Sequence, residues 1–243
     1  LLLGGNDAIL GQLAAWLNEV RDLTIVRFSE RLCLDATTTL EIRPGNGGDM
    51  QALLASLDAA GRLPDIVIHL DGLSRPDGGG LSRATVDASL RRTFLCLLHL
   101  AQGLGRDPQP RRLMVLTAGG LPVTGAETIS PIASLGLGAV QVIPAEFAHL
   151  TCQYLDLDFT GQLTGPHGDA IFAELAPASP EPVVAYRNGH RWTPGLAPLP
   201  LAERRDQALP VKAGGTYLIT GGLGGLGLLM AEWLAACAPV NLA

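Results

Sequence analysis

Apolar and polar positions alternate between two periods along this chain, and the change of period marks its elements. LLLGG (1–5) is an apolar strand running into a turn. NDAILGQLAAWLNEV follows with Ile9, Leu13, Trp16 and Leu17 on one helical face. LTIVRF (23–28) predicts a buried strand, and DMQALLASLDAAGRL (49–63) an amphipathic helix closed by Gly61. DIVIHLDGL (65–73) predicts a strand and turn, and 83–103 one long helix. RRLMVLTAGG (111–120) and CQYLDLD (152–158) predict strands, with helices over 130–147 and 168–176. PVVAYRNGHRWTPGL (182–196) reads as extended. Strands that alternate with helices predict an α/β fold of the Rossmann-like kind, a doubly wound, mostly parallel sheet. Prolines and charges break the rhythm after 196, and it restarts at TYLIT (216–220). The expected organisation is a unit over 1–196, a linker over 197–213 and the first β-α of a second unit over 214–243.

Composition narrows the classes. With 47% hydrophobic and 16% charged residues in 243, the chain can bury a sizeable core. It has no run of eighteen apolar residues, so no membrane span is expected. LLLGGNDAILG lacks the basic flank of a signal peptide and reads as cut from something longer. A net charge of -6 argues against nucleic acid as a partner. Cys33, Cys96, Cys152 and Cys237 are widely spaced, without C-x-x-C. Reduced thiols and a cytoplasmic location are the expectation. Cys96 and His99 stand three apart on a helix, but no second pair completes a metal site, so a buried thiol is the reading. His69, His149, His167 and His190 have no ligand spacing either. Asp156 and Asp158 fall on one side of a strand; a solvated strand end is preferred over a carboxylate pair for acid–base work. Glu146 reads as a packing residue, and Arg204 and Arg205 as solvated linker charges.

One motif carries chemistry. Thr220, Gly221, Gly225 and Gly227 fit T-G-x-x-x-G-x-G, and Gly222, Gly224 and Gly227 also fit G-x-G-x-x-G, with Leu223 and Leu226 between. TYLIT before it and LGLLMAEWLAAC after it supply the strand and helix that the motif needs. Glycines let the backbone approach a pyrophosphate, and the helix N-terminus holds its charge. GGNDAILG, the first turn of the chain, has Gly4, Gly5 and Gly11 but neither pattern, and Asp7 would repel a phosphate.

DIVIHLDGL, SPIASLGLGAVQVIPAEFAHLTCQYLDLD, EPVVAYRNGHRWTPGLAPL and GGTYLITGGLGGLG, in that order, resemble the ketoreductase region of modular polyketide synthases. That family has two related halves of the short-chain dehydrogenase superfamily, a degenerate structural one and then a catalytic one. The resemblance implies a structural subdomain over 1–196 and the start of an NADPH-binding catalytic subdomain at 214–243. It implies NADPH held by residues 220–227 in the complete domain, and acyl carrier protein and neighbouring synthase domains as partners. The family's catalytic Tyr has a Lys four residues on. Tyr154, Tyr186 and Tyr217 are followed at that spacing by Asp158, His190 and Gly221, and Lys212 is the only Lys. No catalytic residue is therefore assigned to this chain, and these residues alone are expected to bind no cofactor. The alternative is a non-catalytic, truncated ketoreductase that scaffolds neighbours such as a methyltransferase or dehydratase.

Overall fold

The computed structural model describes residues 1–5, 7–17, 23–35, 39–73, 81–159, 161–176, 181–198 and 210–243. The ends of the first helix stretch (6 and 18–20), much of the 197–213 stretch, and Arg204 and Arg205 lie outside them. The described residues fall into two compact units, Leu1–Pro194 and Gly195–Ala243.

The first unit is built on an eight-stranded sheet. Its strands are β1 (Leu2–Leu3), β2 (Ile25–Phe28), β3 (Thr39–Ile42), β4 (Ile66–Gly72), β5 (Arg111–Ala118), β6 (Leu150–Leu157), β7 (Val183–Arg187) and β8 (His190–Trp192). The spatial order is β3-β2-β1-β4-β5-β6-β7-β8. Every pairing is parallel except β7 with β8. The strand order reverses between β1 and β4, which makes this the doubly wound topology that the alternation predicted.

Helices cover both faces. Leu3, Val26, Val115 and Tyr154 point into one core beneath α2 (Gly47–Ala59), α4 (Cys96–Leu104) and α5 (Leu135–Glu146). Their strand neighbours Leu2, Met114, Leu116 and Leu155 point into the other, beneath α1 (Asp7–Trp16) and α6 (Gly165–Leu175). Side chains two apart share a face, so strands apolar at every position are those buried on both sides.

Several expectations need correction. The long helix is three pieces: α3 (Arg83–Leu90), a π turn over Arg91–Leu95, and α4. β3 has no counterpart in the sequence reading, because Thr39 and Glu41 break its apolar run. Glu41 is nonetheless buried, since Arg27 and Arg31 both pair with it. The helix expected from 130 begins at Leu135, after a series of turns. It continues through Pro144. Glu146 at its end is exposed rather than packed. The extended 182–196 stretch is a hairpin, turned by Asn188 at φ 51 and Gly189 at φ 75. Positive φ at both central residues is the turn that suits twisted antiparallel strands.

The second unit contains β9 (Thr216–Tyr217), α7 (Gly225–Cys237) and β10 (Asn241–Leu242), with β9 and β10 parallel. Among the described residues no helix is long and apolar enough to cross a membrane.

Candidate functional site

The glycine turn that joins β9 to α7 gives its glycines three different tasks. Gly221 has φ +72, a conformation that L side chains rarely adopt, and so reverses the chain tightly. A Cβ on Gly227 would stand 2.5 Å from the Gly221 carbonyl oxygen and 2.6 Å from the Gly222 Cα, so the helix lies directly against the turn. A Cβ on Gly225 would meet nothing within 4 Å, and the turn is open there. This division follows T-G-x-x-x-G-x-G. At Gly222 and Gly224 the added atom would lie 3.0 and 3.2 Å from backbone carbonyls of the same turn, a milder crowding.

Hydrogen bonds lock the turn from within. Gly222 N–H donates to the Ile219 carbonyl at 3.1 Å, and Gly224 N–H to the Gly221 carbonyl at 2.9 Å. Leu228 N–H donates the first helical bond, to the Gly224 carbonyl at 2.9 Å. The N–H groups of Gly225, Leu226 and Gly227 precede that bond and have no partner within the helix. The first turn of α7 holds no acidic residue. Free donors, the positive end of the helix and open space at Gly225 together fit a pyrophosphate. Leu223 and Leu226 stand out into solvent, 94% and 82% exposed.

The corresponding turn of the first unit is built differently. Asp7 occupies the first turn of α1. It is exposed and pairs with the Arg27 guanidinium at 3.4 Å. A carboxylate already sits at that helix N-terminus, where a phosphate would have to bind.

The C-terminal end of β6 departs furthest from the sequence reading. Asp156 is not a solvated strand end; it is fully buried. Its carboxylate accepts from Thr117 Oγ1 at 2.7 Å, Gly120 N–H at 2.9 Å, Leu121 N–H at 3.0 Å and Arg187 Nη2 at 2.5 Å. Arg187 also pairs with Glu127 at 3.3 Å. N–H groups of Thr124 and Gly125 hold the Glu127 carboxyl down at about 2. These three residues clamp the loop after β5 onto the sheet. The signal that could have found Asp156 and Arg187 is a charge following apolar residues in each of two strands, YLD and VVAYR. Asp158, two residues on, accepts from Asn188 N–H and approaches His167 at 3.3 Å, so the two aspartates are not a pair.

The tyrosines have structural partners. Tyr154 is fully buried, donates to the Ala133 carbonyl at 2.8 Å, and has its phenol pushed up by desolvation. Tyr186 donates to Glu174 at 3.0 Å, and the Tyr217 hydroxyl accepts from Lys212 N–H at 2.7 Å. His69 is buried, its Nε2 3.0 Å from the Arg92 carbonyl oxygen of the π turn. Cys96 and Cys152 are buried thiols; burial pushes the Cys152 thiol up to about 12. Among the described residues no group of three or more His, Cys, Asp or Glu could hold a metal.

The sheet order of the first unit and the β9–α7 glycine turn of the second are both Rossmann-like. The KR domain family matches residues 215–243, the unit that carries the glycine turn. One of the phenolphthiocerol/phthiocerol polyketide synthase proteins of Mycobacterium tuberculosis (strain CDC 1551 / Oshkosh) is 34% identical over 205 residues. That match takes in 78% of this chain and 10% of the synthase protein, so the chain spans about a tenth of that relative's length. Among solved structures, a keto acid-selecting NRPS module with adenylation, ketoreductase and pseudo Asub domains superposes with a TM-score of 0.81 at 23% identity. It covers 99% of this chain and 20% of that one. An N-terminal ketoreductase from the macrolactin assembly line superposes at 0.72 and 24% identity, over 100% of this chain and 47% of that one. The two superpositions speak to the fold alone. Taken with the family and sequence matches, the chain belongs to the ketoreductase region of polyketide synthases.

Proposed function

We propose that this chain supplies the structural subdomain (1–196), the linker (197–213) and the opening of the catalytic subdomain (214–243) of a β-ketoacyl-[acyl carrier protein] reductase. The observation that carries the reading is the contrast between the two turns. One helix N-terminus is filled by its own carboxylate, Asp7, while the other is glycine-lined, uncharged and open at Gly225. In the complete domain NADPH supplies the hydride that turns a β-keto group into a β-hydroxy group. Here Gly221 sets the turn and Gly227 brings the helix close, Gly225 would leave room for the pyrophosphate, and the N–H groups of 225–227 would donate to it.

The proton donor comes from elsewhere in the domain. None of the three Tyr has a Lys four residues on, and a phenol near its ordinary pKa of about 10 is a poor acid at neutral pH without a cation beside it. Exposed apolar side chains of the second unit, Leu218, Leu229, Met230, Trp233 and Leu242, support its being one part of a larger core. The partners are therefore the remainder of the catalytic subdomain, acyl carrier protein and adjoining synthase domains. The isolated residues hold too little of NADPH to bind it well.

The test compares the 243-residue chain with a polypeptide continued in frame from Ala243, both given NADPH and a β-ketoacyl thioester. Nicotinamide absorbance is expected to fall only with the continued polypeptide, and Gly225→Asp is expected to abolish that turnover. Turnover by the 243 residues alone would show the active site misplaced. A continuation without Y-x-x-x-K and without turnover would favour the scaffold role.

A further inference from the structure

Beyond the C-terminal ends of β2 and β3 lies a cavity of about 670 Å³. Small-ligand sites run from about 300 to 1,000 Å³ and favour the C-terminal ends of strands in open α/β sheets. Its walls are the Ser29–Glu30 turn after β2, the loop 43–46 between β3 and α2, and α3 with the π turn. This wall is closely fitted. Gly45 sits at φ +70, and a Cβ there would stand 2.9 Å from Arg91 Cβ and 3.1 Å from the Arg91 carbonyl oxygen, so the loop closes on the π turn only with glycine. The contact between His69 Nε2 and the Arg92 carbonyl occupies an oxygen within the widened turn. Single-turn π segments inside α-helices recur at functional sites.

The charges on the wall select a ligand. Arg43 pairs with Asp49 at 2.7 Å and Arg92 with Asp71 at 2.8 Å. Asp87 faces Arg83 at 3.7 Å. That leaves Arg91 and Glu30, which both line the cavity and have no ion-pair partner among the described residues. Arg91 is thus the one guanidinium on the wall without a carboxylate partner among the described residues, and the planar fork of Arg suits phosphate in particular. Glu30, an acceptor only when ionised, suits hydroxyl groups on the same molecule.

We propose that this cavity of the structural subdomain binds a phosphorylated polyol, a ribonucleotide or sugar phosphate, with Arg91 holding the phosphate and Glu30 accepting from the hydroxyls. The site lies in the first unit and stands whether or not the reductase reading holds. It is distinct from the turn at α1, whose first turn is occupied by Asp7.

Phosphorus NMR titration of the 243-residue chain with adenosine 5′-monophosphate, ribose 5-phosphate and inorganic phosphate tests it. The first two are expected to bind and to compete with each other. If ribose 5-phosphate binds as tightly as the nucleotide, the sugar phosphate is the part recognised; if the nucleotide binds more tightly, the base is recognised as well. Arg91→Ala, which keeps the Cβ and backbone that Gly45 packs against, is expected to leave the melting temperature unchanged and to weaken both about tenfold or more, the size of one charge-assisted hydrogen bond. Glu30→Gln is expected to weaken both polyol phosphates and to leave inorganic phosphate as it was. Absence of binding overturns the proposal. So does binding that Gly225→Asp abolishes and Arg91→Ala leaves intact, which would place the phosphate at the glycine turn instead.

Discussion

Asp156→Ala is the most severe single test of how the first unit is held together. The wild-type carboxylate is fully buried and has four donors: Thr117 Oγ1, Gly120 N–H, Leu121 N–H and Arg187 Nη2. Truncation leaves the Arg187 side chain, 6% exposed, with Glu127 at 3.3 Å as its remaining carboxylate. Removing one member of a buried ion pair costs about 3–5 kcal/mol, and Glu127 places this case at the low end. Two backbone N–H groups also lose their acceptor, and water entering the vacated space limits that further loss to about 1 kcal/mol in all. The working figure is about 4 kcal/mol, a large share of the 5–15 kcal/mol that about covers a whole domain. For a unit of this size about 2–4 °C is lost per kcal/mol, so the melting temperature is expected to fall by about 8–16 °C. Calorimetry measures the fall, and hydrogen exchange locates it: Gly120 and Leu121 amides are expected to lose protection more than those of β2. A variant that melts within about 2 °C of the parent, against those 8–16 °C, with Gly120 still protected, would refute the clamp.

Acid should weaken the other end of the sheet through Glu41, whose carboxyl Arg31 and Arg27 hold down at about 2, against an ordinary 4.5. A depressed carboxyl contributes its full stability above the unfolded value and loses it as pH falls from 4.5 towards 2; Glu41→Gln is expected to flatten the melting temperature over that window, and an unchanged acid slope would contradict the assignment. In the second unit, Gly227→Ala is expected to cost about 1–3 kcal/mol through overlap with the Gly221–Gly222 backbone, read as faster exchange of amides 228–231, whereas Gly225→Ala enters open space; equal protection in the two variants would remove the distinction between their roles.

What the sequence disclosed depended on how far chemistry and period agreed. The strands expected at 65–73 and 111–120 are largely apolar on both faces, and burial under two helix layers is the environment that demands this. The family resemblance was legible in 65–73, in the stretches 130–158 and 181–199, and in the glycine turn. β3 was hidden because its buried polar residue, Glu41, is balanced by arginines from β2 and the turn beyond, a fact of three-dimensional pairing. Asp156 was read as solvated for a similar reason. Its partner Arg187 lies 31 positions away, and two of its four donors are backbone N–H groups that no residue type announces. The π turn left no mark in the periodicity, because one added residue per turn over Arg91–Leu95 shifts the apolar stripe too little to see.

The two strand-to-helix turns differ in how the charge at each helix N-terminus is answered. A carboxylate in the first turn of a helix stabilises it by about 0.3–1 kcal/mol, because it answers the partial positive charge at the N-terminus. Asp7 does so for α1, and Arg27 in turn anchors Asp7 to β2. That helix end is internally satisfied and has nothing to gain from an anion in solution. α7 has no acidic residue in its first turn, and Gly227 and Gly221 exclude side chains where one could have reached back. Its N-terminus therefore stays electrostatically unanswered, which is a cost to the isolated helix and the condition for binding an external phosphate. Moving that carboxylate makes the trade explicit: Gly225→Asp should stabilise the start of α7 while closing it to pyrophosphate, and Asp7→Gly should loosen α1 without creating a dinucleotide site, since the glycine spacing of 4, 5 and 11 leaves the rest of the cradle unbuilt.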